Sequence, residues 1–143
     1  MATRSRIAIE QADGTVKSVY CHWDGYPKGV GKILVEHYLM RDKVESLMEL
    51  GSISTLGEQV EPTGRVDHTF EMPELGITVA YHRDRGESLD PARIDKSLLD
   101  FIQSDVEEFG YVMTQSGEWM MIDGYRTIRE LKHLETILSL RLA

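Results

Sequence analysis

The stretch Thr15-Val16-Lys17-Ser18-Val19-Tyr20-Cys21-His22-Trp23-Asp24-Gly25-Tyr26-Pro27-Lys28-Gly29-Val30-Gly31-Lys32 decides how the chain is laid out. Its first half alternates with β-formers Val16, Val19 and Tyr20, the mark of a strand, and its second half is a glycine-rich bend leading into a helix. Upstream, Arg6 to Gln11 also alternates, and Ala12-Asp13-Gly14 supplies the turn, so residues 6–22 read as a hairpin. That hairpin carries His22, Trp23, Asp24 and Tyr26 to one end of a sheet, where scaffolds commonly present their chemistry.

Outward from this point the elements follow one another clearly. A helix is expected over 30–40, on the spacing of Ile33, Leu34, Val35, Tyr38 and Leu39, and a second over 42–50, capped by Asp42 and stopped by Gly51. Residues 52–74, with two prolines and two glycines, read as an irregular connection holding one short strand near Val66 to Phe70. A strand is expected over 77–83, and a helix over 91–108 beginning at Asp90-Pro91. A closing hairpin follows over 111–122, with Trp119 in the core, and a last helix over 125–141. The sum is a single α+β domain over residues 1–143, with an antiparallel sheet of about five strands covered by helices. The final helix is apolar on more than one face, which makes 125–143 a candidate surface for a homo-oligomer.

Composition narrows the function. Sixteen basic residues against 24 acidic ones give a net charge of -8, the opposite of what a general nucleic-acid surface requires. No apolar run approaches the length of a membrane span. One cysteine, Cys21, excludes an intrachain disulfide and suits a reducing compartment. The expected location is cytoplasm.

Two polar clusters at strand exits carry the candidate chemistry. In the first, five residues separate Gly25 from Gly31, and Ile33 stands where a phosphate loop needs a hydroxyl, so no such loop is present. What remains is an anion-attracting turn flanked by Lys28 and Lys32. His22 and Asp24 would share a face of a continuing strand, and with a third group (His68, His82, Asp84 or Glu87) could hold a metal or orient a base. The plainer reading is a strand-end histidine bonded to a turn aspartate. Cys21 has no adjacent base on its own face and reads as a packed small side chain. In the second cluster, Arg83-Asp84-Arg85-Gly86-Glu87, Arg83 and Arg85 would share a strand face as a pair of guanidinium forks suited to phosphate. Asp84 and Glu87 could instead neutralise them. Trp23 or Tyr26 would stack a base while Arg83, Arg85 and Lys32 met its phosphates.

The segment Tyr20-Cys21-His22-Trp23-Asp24-Gly25-Tyr26-Pro27, the helix from Gly31-Lys32-Ile33-Leu34 to Glu36-His37-Tyr38, and Tyr81-His82-Arg83-Asp84-Arg85-Gly86-Glu87 together resemble a group of small tailed-bacteriophage accessory proteins. The resemblance covers roughly the first 90 residues. It implies a protein acting in the cytoplasm of an infected bacterium, in counter-defence, with no catalytic residues and no cofactor attached to the group. Three mechanisms follow as expectations. The first is sequestration of a nucleotide or phosphate-containing signal by His22, Trp23, Asp24, Tyr26, Lys32, Arg83 and Arg85. The second is direct inhibition of a host defence protein, and the third is metal-assisted hydrolysis by His22, Asp24 and Asp84.

Overall fold

The computed structural model describes residues 2–142. The hairpin of the first forty residues forms as expected: β1 (Ser5–Glu10) pairs antiparallel with β2 (Val16–Cys21), Arg6 opposite Tyr20 and Ile9 opposite Lys17. A single π-helical turn (Pro27–Gly31) then leads into α1 (Lys32–His37), which stops at Tyr38 rather than at residue 40. Next, α2 (Arg41–Glu49) packs Val44, Leu47 and Met48 inward. Met40, not Asp42, stands at its N-cap, and Gly51 takes the left-handed conformation just beyond its end.

The sheet is mixed and eight-stranded, not antiparallel with about five strands. β3 (Ile53–Thr55) runs parallel to β2 and pairs antiparallel with β4 (Val79–Ala80), while β6 (Phe109–Met113) runs parallel to β1. β7 (Trp119–Asp123) closes the second hairpin and β8 (Lys132–His133) lies at its edge, giving the order β4-β3-β2-β1-β6-β7-β8. Alternation identifies a strand but not its partner. The parallel pairs arise because α1 and α2 return the chain across one face before β3, and residues 96–108 do the same on the other before β6.

Three further expectations are corrected. Residues 91–108 are not one helix. Arg93–Asp95 forms β5, which pairs with Val16, Lys17 and Ser18 of β2, and α4 (Leu98–Gln103) follows, capped by Ser97. The apolar spacing was helical, but the first half of β2 had an edge whose peptide groups needed partners. Ile94 and Leu99 accordingly stay exposed while Phe101 and Val106 are fully buried. Within 77–83 only Val79 and Ala80 are strand, and Tyr81–Arg85 is a short helix, α3. Asp84 Oδ2 accepts the Ala80 N–H at 2.7 Å, so a side chain four residues on satisfies the amide of the N-cap residue and the helix starts early. No strand forms at 66–70.

The last helix, α5 (Leu134–Leu142), begins nine residues later than 125. Arg129 explains the delay, because its guanidinium donates to the carbonyls of Ile102, Ser104 and Gly124 and ties the preceding segment to α4. Part of the apolar character of this region is met within the chain, while Tyr125 and Ile128 stay exposed. Leu131 packs on the core of one sheet face, around Ala8, Val112 and Phe101, and Leu134 and Leu138 pack on the other, around Ile7, Leu34 and Tyr111. The side chains of Leu140 and Leu142 lie outside the described residues. No helix among the described residues is long and apolar enough to cross a membrane.

Candidate functional site

The first bend is built by backbone packing. β2 ends at Cys21, and the next two peptide N–H groups donate to β3, His22 to the Ile53 carbonyl at 3.1 Å and Trp23 to that of Ser54 at 3.0 Å. Asp24 then turns through a positive φ of 58°, and its carbonyl receives the Val30 N–H at 2.8 Å. The glycines serve this closeness rather than a phosphate. A Cβ on Gly25 would lie 2.8 Å from both Ser5 Cβ and the Thr3 carbonyl oxygen, and one on Gly29 would strike the Asp24 carbonyl. Tyr111 adds a hydroxyl bond to the Gly25 carbonyl at 2.6 Å.

Side chains of this bend point in several directions. His22 Nδ1 hydrogen-bonds the Tyr20 hydroxyl at 2.6 Å, whereas Asp24 Oδ1 accepts from Tyr26 Oη at 3.4 Å, so the two do not act as a pair. Trp23 and Tyr26 are each more than two-fifths exposed, with the Trp23 ring edge-on to His22 at 4.8 Å. Cys21 is sealed, and burial pushes its thiol up to about 12, which keeps it protonated and inert. Lys28 and Lys32 line a separate groove with Val35, Glu36, Glu135 and Leu138, so Lys32 does not join the other predicted ligands.

The second bend is built by charge. Arg83 donates to the Val60 carbonyl at 2.8 Å, to that of Thr78 at 2.6 Å, and in a fork to Asp84 at 2.9 and 3.1 Å, while Glu61 lies at 3.6 Å. Burial would raise the Asp84 carboxyl, but the Arg83 and Ala80 hydrogen bonds outweigh it and hold the group below the ordinary carboxylate range. Behind it His68 Nε2 sits 3.1 Å away, both side chains 3% exposed, at an angle too poor for an aligned hydrogen bond. His68 Nδ1 accepts the Glu74 N–H at 3.0 Å, which leaves the proton of a neutral ring on the nitrogen facing Asp84. Arg83 is thus a tie between the 56–78 segment and α3.

Arg85 is placed differently. Because residues 81–85 are helical, it does not share a face with Arg83 as it would on a strand. Its guanidinium lies 4.3 Å from the centre of the Phe70 ring and 5.1 Å from that of Tyr81, and it pairs with Glu87. Gly86, with a φ of 75°, turns the chain so that Glu87 comes back beside it.

The two bends do meet at one end of the sheet. β3 joins them: Ser52 accepts the Tyr81 N–H, and its neighbour Ile53 accepts that of His22. Beside the second bend opens a cleft of about 380 Å³ lined by Tyr20 of β2, Ser52, Tyr81, His82, Arg85, Glu87, Ser88 and Asp90, within the size range of small-molecule sites. Ser52 donates its hydroxyl to Asp90 Oδ2 at 2.6 Å, and His82 Nδ1 bonds the Glu87 carbonyl oxygen at 2.7 Å. Of the predicted ligand residues only Arg85 lines this cleft, with His22 one hydrogen bond behind it through Tyr20. Tyr20, Ser52, Tyr81, Ser88 and Asp90 were not foreseen there. The signal for two of them was available, since Tyr20 lies two residues before His22, on the same strand face, and Tyr81 opens the arginine segment.

Among the described residues no three His, Cys, Asp or Glu side chains are grouped to hold a metal ion. Asp84 is committed to Arg83 and His68, away from His22 and Asp24. No family model, no curated protein and no solved structure matches the chain.

Proposed function

We propose that this chain is a non-catalytic binding protein that sequesters a small phosphate-containing ligand, a nucleotide in the first instance, as a phage accessory acting in counter-defence in the host cytoplasm. One observation carries the binding reading: Tyr20, on the strand that leads into the aromatic bend, and Arg85 of the arginine bend, more than sixty residues apart in sequence, line one cleft, with the Arg85 guanidinium against the Phe70 and Tyr81 rings. The phage setting rests on the resemblance of the Tyr20–Pro27 and Tyr81–Glu87 segments.

Arg85 is the cation this site offers. Its partner Glu87 is as exposed as Arg85 itself, each side chain at 45%, and such a surface pair is worth about 0–1 kcal/mol, so an incoming phosphate displaces the carboxylate at little cost. The neighbouring rings of Phe70 and Tyr81 hold the guanidinium plane in place, which lowers the ordering cost of binding. Titration calorimetry against a panel of nucleotides tests the reading. Heat that disappears in Arg85→Ala is the expected result, and no heat from any phosphate ligand ends it.

A second reading, direct inhibition of a host protein, is favoured by the 56–78 segment. It exposes Val66, Met72 and Leu75, the last at 99%, among Glu58, Glu61, Asp67, Glu71 and Glu74, a combination suited to a basic, apolar surface. Capture of one stoichiometric host protein that Met72→Asp with Leu75→Asp releases would support it. Association of two copies through α5 is a separate proposal, read directly by light scattering.

A further inference from the structure

We infer that the cleft beside Arg85 admits ligands carrying a single negative charge and turns away those carrying more. The inference rests on the anion-binding reading of the cleft and adds its selectivity. It follows from a count of the charges that can reach a ligand there. Arg83 is spent on Asp84 and two carbonyl groups, and Lys28 and Lys32 line a different groove. Among the described residues that line the cleft, one permanent cation, Arg85, therefore faces two carboxylates, Glu87 and Asp90, and the remaining basic group, His82, has its Nδ1 engaged with the Glu87 carbonyl oxygen.

A monoanion that replaces Glu87 on Arg85 satisfies the guanidinium and frees Glu87 to turn toward solvent. Asp90 stays, because the Ser52 hydroxyl and the Ser52 N–H to the Asp90 carbonyl hold that residue in place. Its Oδ1 has no hydrogen-bond donor among the described residues, and it is placed to accept from a sugar hydroxyl or an exocyclic amine. The hydroxyls of Tyr81 and Ser88 can donate to the remaining oxygens of a sugar phosphate, and those of Tyr20 and Ser52, engaged with His22 Nδ1 and Asp90, can still accept from its hydroxyl groups. A second or third phosphate charge would sit beside Asp90 with no further permanent cation among the cleft residues to meet it, and repulsion between charges a few ångströms apart costs on the order of tenfold in affinity per charge. The class of ligand is a nucleoside with one phosphate charge, of which a 3′,5′-cyclic mononucleotide is the simplest case.

Calorimetry of the whole chain with cyclic AMP, AMP, ADP and ATP at low salt tests this. Cyclic AMP should bind most tightly and ATP roughly a hundredfold or more weakly, Arg85→Ala should abolish the binding, and Asp90→Asn should narrow the gap by improving ATP more than cyclic AMP. ATP binding as tightly as cyclic AMP, at a site lost in Arg85→Ala, overturns the charge selection and leaves the anion site standing. Binding of none of the four by chain of unchanged thermal stability overturns both. Binding that survives Arg85→Ala also overturns it, since the count would then concern the wrong cation.

Discussion

Between Cys21 and Gly31 the chain is positioned by backbone packed on backbone, whereas between Val79 and Asp90 it is positioned by charged side chains reaching to carbonyl groups and to one another. The first bend uses glycines to bring Thr3, Asp24 and Tyr111 within hydrogen-bonding range and has no buried ion pair. The second has a buried carboxylate, a guanidinium that satisfies four acceptor atoms, and a histidine behind them. Glycine-rich and arginine-rich segments both look like ligand sites in a sequence. Here most of each is spent on holding the fold, and what is left over for a ligand lies on the second bend, where it faces Tyr20 and Ser52.

The largest expected effect tests the charged bend. Arg83→Ala removes the partner of Asp84 and strips hydrogen bonds from the Val60 and Thr78 carbonyls, leaving a carboxylate that is 3% exposed without its cation. Breaking such a pair costs about 3–5 kcal/mol. Urea unfolding should show that loss, with Arg83→Lys recovering little of it because an ammonium cannot fork to Asp84 and reach both carbonyls. A change under about 1 kcal/mol would mean that the tie is not what holds the 56–78 segment.

Next comes the backbone bend. Gly29→Ala places a methyl group against the Asp24 carbonyl and within 3.0 Å of the Tyr26 ring, and overpacking of this kind costs about 1–3 kcal/mol. The comparison predicts that this loss is insensitive to salt and pH, whereas the loss on Arg83→Ala is not. Equal salt dependence of the two would erase the distinction drawn between the bends.

Acid should separate them too. The folded-state carboxyl of Asp84 is held below its unfolded value by Arg83 and the Ala80 N–H. It therefore contributes stability that is fully present above the ordinary Asp range near about pH 4, and that stability is lost as pH falls through the lower, folded value. In Asp84→Asn the acid limb of the stability profile should flatten. A limb of unchanged steepness would assign it to other carboxylates.

The same contrast explains how much of the molecule could be read from its residues. Hairpins 6–22 and 111–122 were legible because period-two alternation met a turn signal at Asp13-Gly14 and at Ser116-Gly117, and so was α2, ended by Gly51. The interior position of Trp119 and of Cys21 was legible as well. The helix over 91–108 was not, because Ile94 and Leu99 match a helical period although an open edge of β2 recruits Arg93–Asp95 into the sheet. Nor was the change from strand to helix at Tyr81, which depends on Asp84 reaching back to the Ala80 N–H. The candidate site suffered from the same step. Once residues 81–85 become helical, Arg83 and Arg85 part, and no local pattern says which of them finds carbonyl groups contributed by Val60 and Thr78.

That parting yields the smallest stability effect and the sharpest functional one. Arg83 and Arg85 are two residues apart, with the same side chain, yet one is a part-buried tie and the other lies against two rings with an exposed carboxylate partner. Removing Arg85 gives up a screened surface pair and a ring contact, together worth under about 1 kcal/mol or little more. Arg85→Ala should therefore fold with nearly unchanged urea midpoint while losing any Arg85-dependent ligand. The reverse outcome, a marked loss of stability with binding intact, would make Arg85 a second structural arginine and move the search for a ligand to another surface.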